Sequence, residues 1–102
     1  MKRITRIWHG ITKAVHADEY QAFVEETGLK DYKSIPGILS VKLLRRIEGD
    51  MCHFMTVTEW DSITSIKAFA GEQFHLAKYY PGDEKYLLEM ERYVTHYETF
   101  EY

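Results

Sequence analysis

The sequence predicts an α+β fold with its elements in the order β-α-β-β-α-β, and three observations carry that reading. A β-branched run over residues 3–15 (Ile4, Thr5, Ile7, Ile11, Thr12) precedes a helical stripe of Tyr20, Phe23, Val24 and Thr27 at i, i+3, i+4, i+7. Two β-rich stretches, 38–47 and 52–60, are joined by the turn Glu48-Gly49-Asp50. A second helical pattern then leads into a last strand over 93–101. Right-handed crossovers turn this order into a split βαβ, ferredoxin-like sheet with strand order 4-1-3-2 and both helices on one face.

Each element has local signals. Asp18 and Gln21 have the spacing of a capping box for the first helix, and Gly28 suits its left-handed end. Leu29–Ser34 adds a short helical turn before Pro36-Gly37 breaks the chain. Leu39, Val41, Leu43 and Ile47 alternate along the second strand. Asp61-Ser62 caps the second helix, whose apolar side is Ile63, Ile66, Phe69 and Ala70, and Gly71 interrupts it. A short helix is expected from Glu72 to Tyr80, stopped by Pro81-Gly82, and a further helical turn within 83–91.

The 102 residues make one domain, with 45% apolar and 28% charged side chains. A formal net charge of −3 argues against a nucleic-acid partner, and no apolar run is long enough to span a membrane. Cys52 is the single cysteine, which excludes a disulfide framework. With the polar start Met-Lys-Arg-Ile-Thr-Arg, it points to a cytoplasmic protein. The first and third strands carry apolar residues on both parities: Ile7 and Ile11 against Ile4 and Trp8, and Phe54 and Trp60 against Met55 and Val57. With helices over one face, a second copy is expected to cover the other, in a two-fold homodimer.

Several segments together resemble the antibiotic biosynthesis monooxygenase family. They are Arg6-Ile-Trp-His-Gly10, Glu48-Gly49-Asp50, Trp60 before Asp61-Ser62, Ile66-Lys-Ala-Phe-Ala-Gly71, Tyr79-Tyr-Pro-Gly-Asp83 and Val94-Thr-His-Tyr-Glu98. The resemblance covers nearly the whole chain. It implies a dimeric α+β barrel with a pocket between helices and sheet. The activities it implies are cofactor-free oxidation of polycyclic phenols, haem degradation and quinol handling. Haem-degrading members carry an Asn, a Trp and a haem-ligating His. Matched at Trp60, these fall on Ile7, Phe69 and Lys78 or Tyr79, and the sequence contains no Asn. The quinone-forming members' Asn–Trp site is likewise not built.

The candidate residues follow. His9 shares parity with Ile7, so it is expected beneath the helices, where an imidazole could take a phenolic proton. The bland alternative is a hydrogen-bonded histidine on the sheet. The expected pocket consists of Ile7, Ile11, Phe23, Phe69, Phe74, His75, Tyr79 and Tyr80, although Phe74, Ala77 and Tyr80 could equally plug the core. His9, His53 and His96 lie on neighbouring strands, but nothing fixes a common face, so no metal site is expected. Trp8 and Trp60 read as core or interface anchors, Arg45-Arg46 as a solvated edge and Cys52 as a small core residue. The leading expectation is a cofactor-independent monooxygenase acting on a small apolar, phenolic or quinol-like aromatic ligand. The alternatives are a non-enzymatic, stress-associated ligand-binding dimer and a haem-binding protein using His9 or His75.

Overall fold

The computed structural model describes residues 3–102. The strands are β1 (Arg3–Lys13), β2 (Ile38–Glu48), β3 (Met51–Trp60), β4 (Leu87–Glu89) and β5 (Thr95–Thr99), and the helices are α1 (Ala17–Glu26), α2 (Gly28–Tyr32) and α3 (Ile63–Ala70). The sheet runs β2-β3-β1, and β4 and β5 both pair with the far edge of β1, all antiparallel. This is the expected ferredoxin-like order, with β5 as its fourth strand and β4 as a short addition.

A one-residue change of parity turns every side chain of a strand over, and on β1 the buried set is Ile4, Arg6, Trp8, Gly10 and Thr12. Trp8 and Gly10 explain why. A Cβ placed on Gly10 would lie 2.4 Å from Cη2 of the Trp8 ring, so the indole lies in the space that a side chain at position 10 would need. The two positions share a face, and Trp8 packs there with Ala17, Tyr20 and Val24 of α1. On β3 the inward set is Cys52, Phe54, Thr56, Thr58 and Trp60, with His53, Met55 and Val57 outward. The apolar character of both faces is thus real. One core cluster gathers around Trp8, Tyr20 and Phe54, and a second around Tyr32, Trp60 and Ile66.

Three local expectations are corrected. The capping box does not form: α1 starts at Ala17 after a 3-10 turn, and Asp18 in its first turn instead pairs with Arg45 Nη1 at 2.8 Å. An acidic side chain still favours a helix N-terminus there. Gly28 is not a left-handed cap but the first residue of α2. No helix spans Glu72–Tyr80. That segment pairs its backbone with residues 92–94 through Ala77 N to Arg92 O (2.8 Å) and Val94 N to His75 O (2.8 Å), which diverts these donors from a helical ladder. The turn expected within 83–91 is a 3-10 turn at Asp83–Lys85, followed by β4. Ser62 does cap α3, accepting from Ser65 N at 3.2 Å, and Gly71 ends it at φ 87°. No helix of the described residues is long and apolar enough to cross a membrane.

Candidate functional site

Between α1, α2 and the inner sheet face lies a cavity of about 40 Å³. Its aromatic wall is Trp8 from β1, Tyr20 from α1, Tyr32 from α2, and Tyr79 and Tyr80 from the irregular segment. Asp83 supplies its buried carboxylate, which accepts from the Tyr20 hydroxyl (2.8 Å) and from Tyr80 N (2.6 Å). Tyr80 donates its hydroxyl to Asp31 (2.7 Å), and Tyr79 donates to the Glu91 carbonyl (2.5 Å). Burial, then the neighbouring carboxylates, push the Tyr20 and Tyr80 phenols up, so both stay protonated donors. The cavity itself has room for little more than water. Beside it lies an open groove of about 340 Å³ between Ile35, Pro36, Ala68 and Phe69, a volume within the range of small-molecule sites. Among the described residues Lys78 is the one side chain that lines both, 4.5 Å from the Phe69 ring centroid and 5.6 Å from that of Tyr80.

Next to this site Arg6 is buried without a carboxylate partner among the described residues. Its Nη1 donates to the Phe74 carbonyl (2.6 Å) and faces His96 Nε2 (3.3 Å), and its guanidinium lies 5.8 Å from the Phe69 centroid. The Tyr32 hydroxyl interacts with it from the cavity side. Burial, then Arg6 and His75, push His96 down to about 4. The unfolded chain takes up this proton near pH 6.5, whereas the folded chain resists until about pH 4. The folded state is therefore fully favoured above pH 6.5 and loses stability as the pH falls from there to about 4. Urea midpoints measured across this window should fall less steeply for His96→Gln than for the wild type. Superimposable profiles would exclude His96 as a contributor.

The outer face holds the residues expected under the helices. Ile7, His9 and Ile11 are on the odd parity of β1 and point away from the cavity, which removes all three from its wall and His9 as its base. The cause is the burial of the Trp8 indole in the core with Tyr20, Val24 and Phe54, which turns the strand's other parity inward. His9 instead belongs to a chain of hydrogen bonds: His9 Nδ1 donates to Glu91 Oε2 (2.5 Å), His53 Nε2 donates to Glu48 Oε1 (3.0 Å), and His9 Nε2 and His53 Nδ1 share a bond at 3.1 Å. His53 and, secondarily, Arg46 hold Glu48 below the usual carboxylate range. His96 is on the opposite face, beside Arg6, so the three strand histidines do not converge.

Of the other expected pocket residues, Tyr79 and Tyr80 line the cavity and Phe69 lines the groove. Phe23 packs against Gly82 and the core, Phe74 adjoins His96 (5.3 Å between centroids), and His75 is exposed against Phe74. The sequence reading missed Tyr20, Tyr32, Lys78 and Asp83 as wall residues, and also Arg6. Trp8, assigned to the core, is both core and wall.

The architecture has close counterparts among solved structures. A putative antibiotic biosynthesis monooxygenase from Nitrosomonas europaea superposes with a TM-score of 0.67, covering 96% of this chain and 89% of that one at 10% identity. The chain has the antibiotic biosynthesis monooxygenase fold. A haem degrader from Mycobacterium tuberculosis, with two haems bound in its active site, matches at TM-score 0.62 and 20% identity, covering 94% of each chain. A ferredoxin-like protein from Mesorhizobium loti matches at 0.58 and 15% identity over 100% of this chain and 99% of that one. No family model and no curated protein matches the sequence significantly. The residues here do not suit haem ligation: no imidazole lines the cavity, and Ile7, at the position matched to the haem degraders' Asn, faces away from it.

Proposed function

We propose that this chain binds a small aromatic molecule between its helices and sheet. The observation that carries this reading is the wall of five aromatic rings around a buried carboxylate, separated from a ligand-sized groove by the flexible Lys78 side chain. Rings of this kind offer flat apolar contact, and their polar tips orient a ligand's oxygens. The fold shared with putative monooxygenases supports a further step. In it, a bound phenol supplies the electrons and reacts with dioxygen to give a quinone and water, with no added cofactor. The same reading makes the protein a homodimer through the outer sheet face. There Ile7, Ile11, Met55 and Val57 form an apolar centre, and Leu44 remains 49% exposed.

The test uses 1-naphthol. Binding should quench tryptophan fluorescence, because Trp8 is in the wall. Oxygen consumption without added cofactor supports the oxygenase, binding without consumption supports a carrier or sensor, and no binding overturns the site. Assembly is tested separately. Sedimentation should give about 24 kDa, twice the 12.1 kDa chain. Val57→Glu should give the monomer, whereas a monomeric wild type overturns the dimer.

A further inference from the structure

Three buried side-chain nitrogens of the described residues have no hydrogen-bond partner: Arg6 Nε, Trp8 Nε1 and His96 Nδ1. All three belong to the inner face of the sheet, with Arg6 and Trp8 two residues apart on β1 and His96 opposite Arg6 on β5. The first two can only donate. His96 is neutral near pH 7 and receives the Arg6 N–H on Nε2, so its own hydrogen is on Nδ1 and it too is a donor. Arg6 Nε and His96 Nδ1 are therefore unspent donors, whereas Trp8 Nε1 has the Tyr79 hydroxyl as a neighbour. A buried donor left unsatisfied costs about 1–3 kcal/mol, and a charged one more. Arg6 is only 3% exposed and joins none of the ion pairs of the described residues, so its positive charge is buried unbalanced.

We propose that Arg6 is the anion-binding residue of this site and that the ligand is an aromatic carboxylate. The planar guanidinium fork matches a carboxylate in two parallel hydrogen bonds, with Nε as one of the donors. Its surroundings select the rest of the molecule. Tyr32 joins Arg6 to the cavity, Phe69 joins it to the groove, and Phe74 and His96 add two further rings. Lys78, on the wall common to cavity and groove, is a second cation on the path of an entering anion. The ligand's carboxylate then neutralises Arg6. This inference rests on the aromatic-ligand reading above and narrows it to a charged class.

The experiment compares 1-naphthoate with its neutral isostere 1-naphthamide by calorimetry on the full chain. Naphthoate should bind at least about tenfold more tightly, a preference of about 1.4 kcal/mol. Arg6→Gln should abolish that preference, and Arg6→Lys, which keeps the charge without the fork, should retain part of it. Equal wild-type affinity for the two ligands overturns the anion subsite and leaves the aromatic site standing, and it needs no variant to fold. Inorganic phosphate competing as strongly as naphthoate overturns the aromatic class. Failure of both ring compounds to bind overturns the site and the subsite together.

Discussion

Replacing Trp60 with alanine is expected to destabilise the fold by about 3–5 kcal/mol, the usual cost of deleting a core aromatic. The indole is fully buried at the end of β3, where the register places it opposite both Ile4 and Ile38. Its ring meets Phe69 at 5.7 Å and Tyr32 at 6.3 Å between centroids, and its Nε1 donates to Thr58 Oγ1 at 2.8 Å. Alanine removes the shared packing of β3, α2 and α3 at once and leaves a void that close-packed neighbours fill only in part. Urea unfolding should show a lower midpoint with an unchanged slope, since the surface exposed on unfolding hardly changes. Trp60→Phe, which keeps most of the ring contact, should lose well under half as much. A loss below about 1 kcal/mol for the alanine variant would contradict a buried corner.

Trp60 also illustrates what the sequence makes legible. Its burial follows from local order: a β-rich run, a large aromatic, then Asp61-Ser62 capping a helix. The same local signals give the element order, the hairpin at Glu48-Gly49-Asp50 and the order of the main strands. The parity of β1 is different. Ile7 and Ile11 on one side balance Ile4 and Trp8 on the other, so hydrophobicity alone does not choose a face. The deciding contacts are those of the Trp8 indole with Tyr20, Val24 and Phe54, which are distant in sequence. The burial of Arg6 carries no signal in the sequence, because arginines are almost never fully buried. Phe74, Ala77 and Tyr80 have nearly helical spacing, yet His75 and Ala77 spend backbone bonds on Val94 and Arg92, partners that lie outside any local window. The sequence places the outer-face histidines on neighbouring strands, but their bonding to Glu48 and Glu91 follows only from the folded structure.

Asp83→Ala should be the second large loss, about 3–4 kcal/mol, and it falls on the site itself. The carboxylate is 4% exposed and serves two donors at once, the Tyr20 hydroxyl on Oδ1 and Tyr80 N on Oδ2. Hydrogen bonds to a charged group contribute about 1.5–3 kcal/mol each, and losing the acceptor leaves both donors facing the interior unsatisfied. Tyr20 has no room to turn its hydroxyl to solvent: it is 1% exposed and packs on Phe54 at 5.1 Å, Tyr86 at 5.5 Å and Phe23 at 5.9 Å. Tyr80, in turn, holds the irregular segment to α2 through Asp31. Loss of Asp83 should therefore loosen residues 78–83 as well as lower stability, and backbone amides there should exchange hydrogen faster than those of β1 and β3. Tyr20→Phe separates the two bonds, because it removes one donor while Asp83 keeps Tyr80 N. It should cost about 1–2 kcal/mol, and in the Tyr20→Phe background Asp83→Ala should cost less than in the wild type, the difference measuring the Tyr20–Asp83 coupling. If the two substitutions are simply additive, the carboxylate does not hold Tyr20, and the aromatic wall of the cavity depends on ring packing alone.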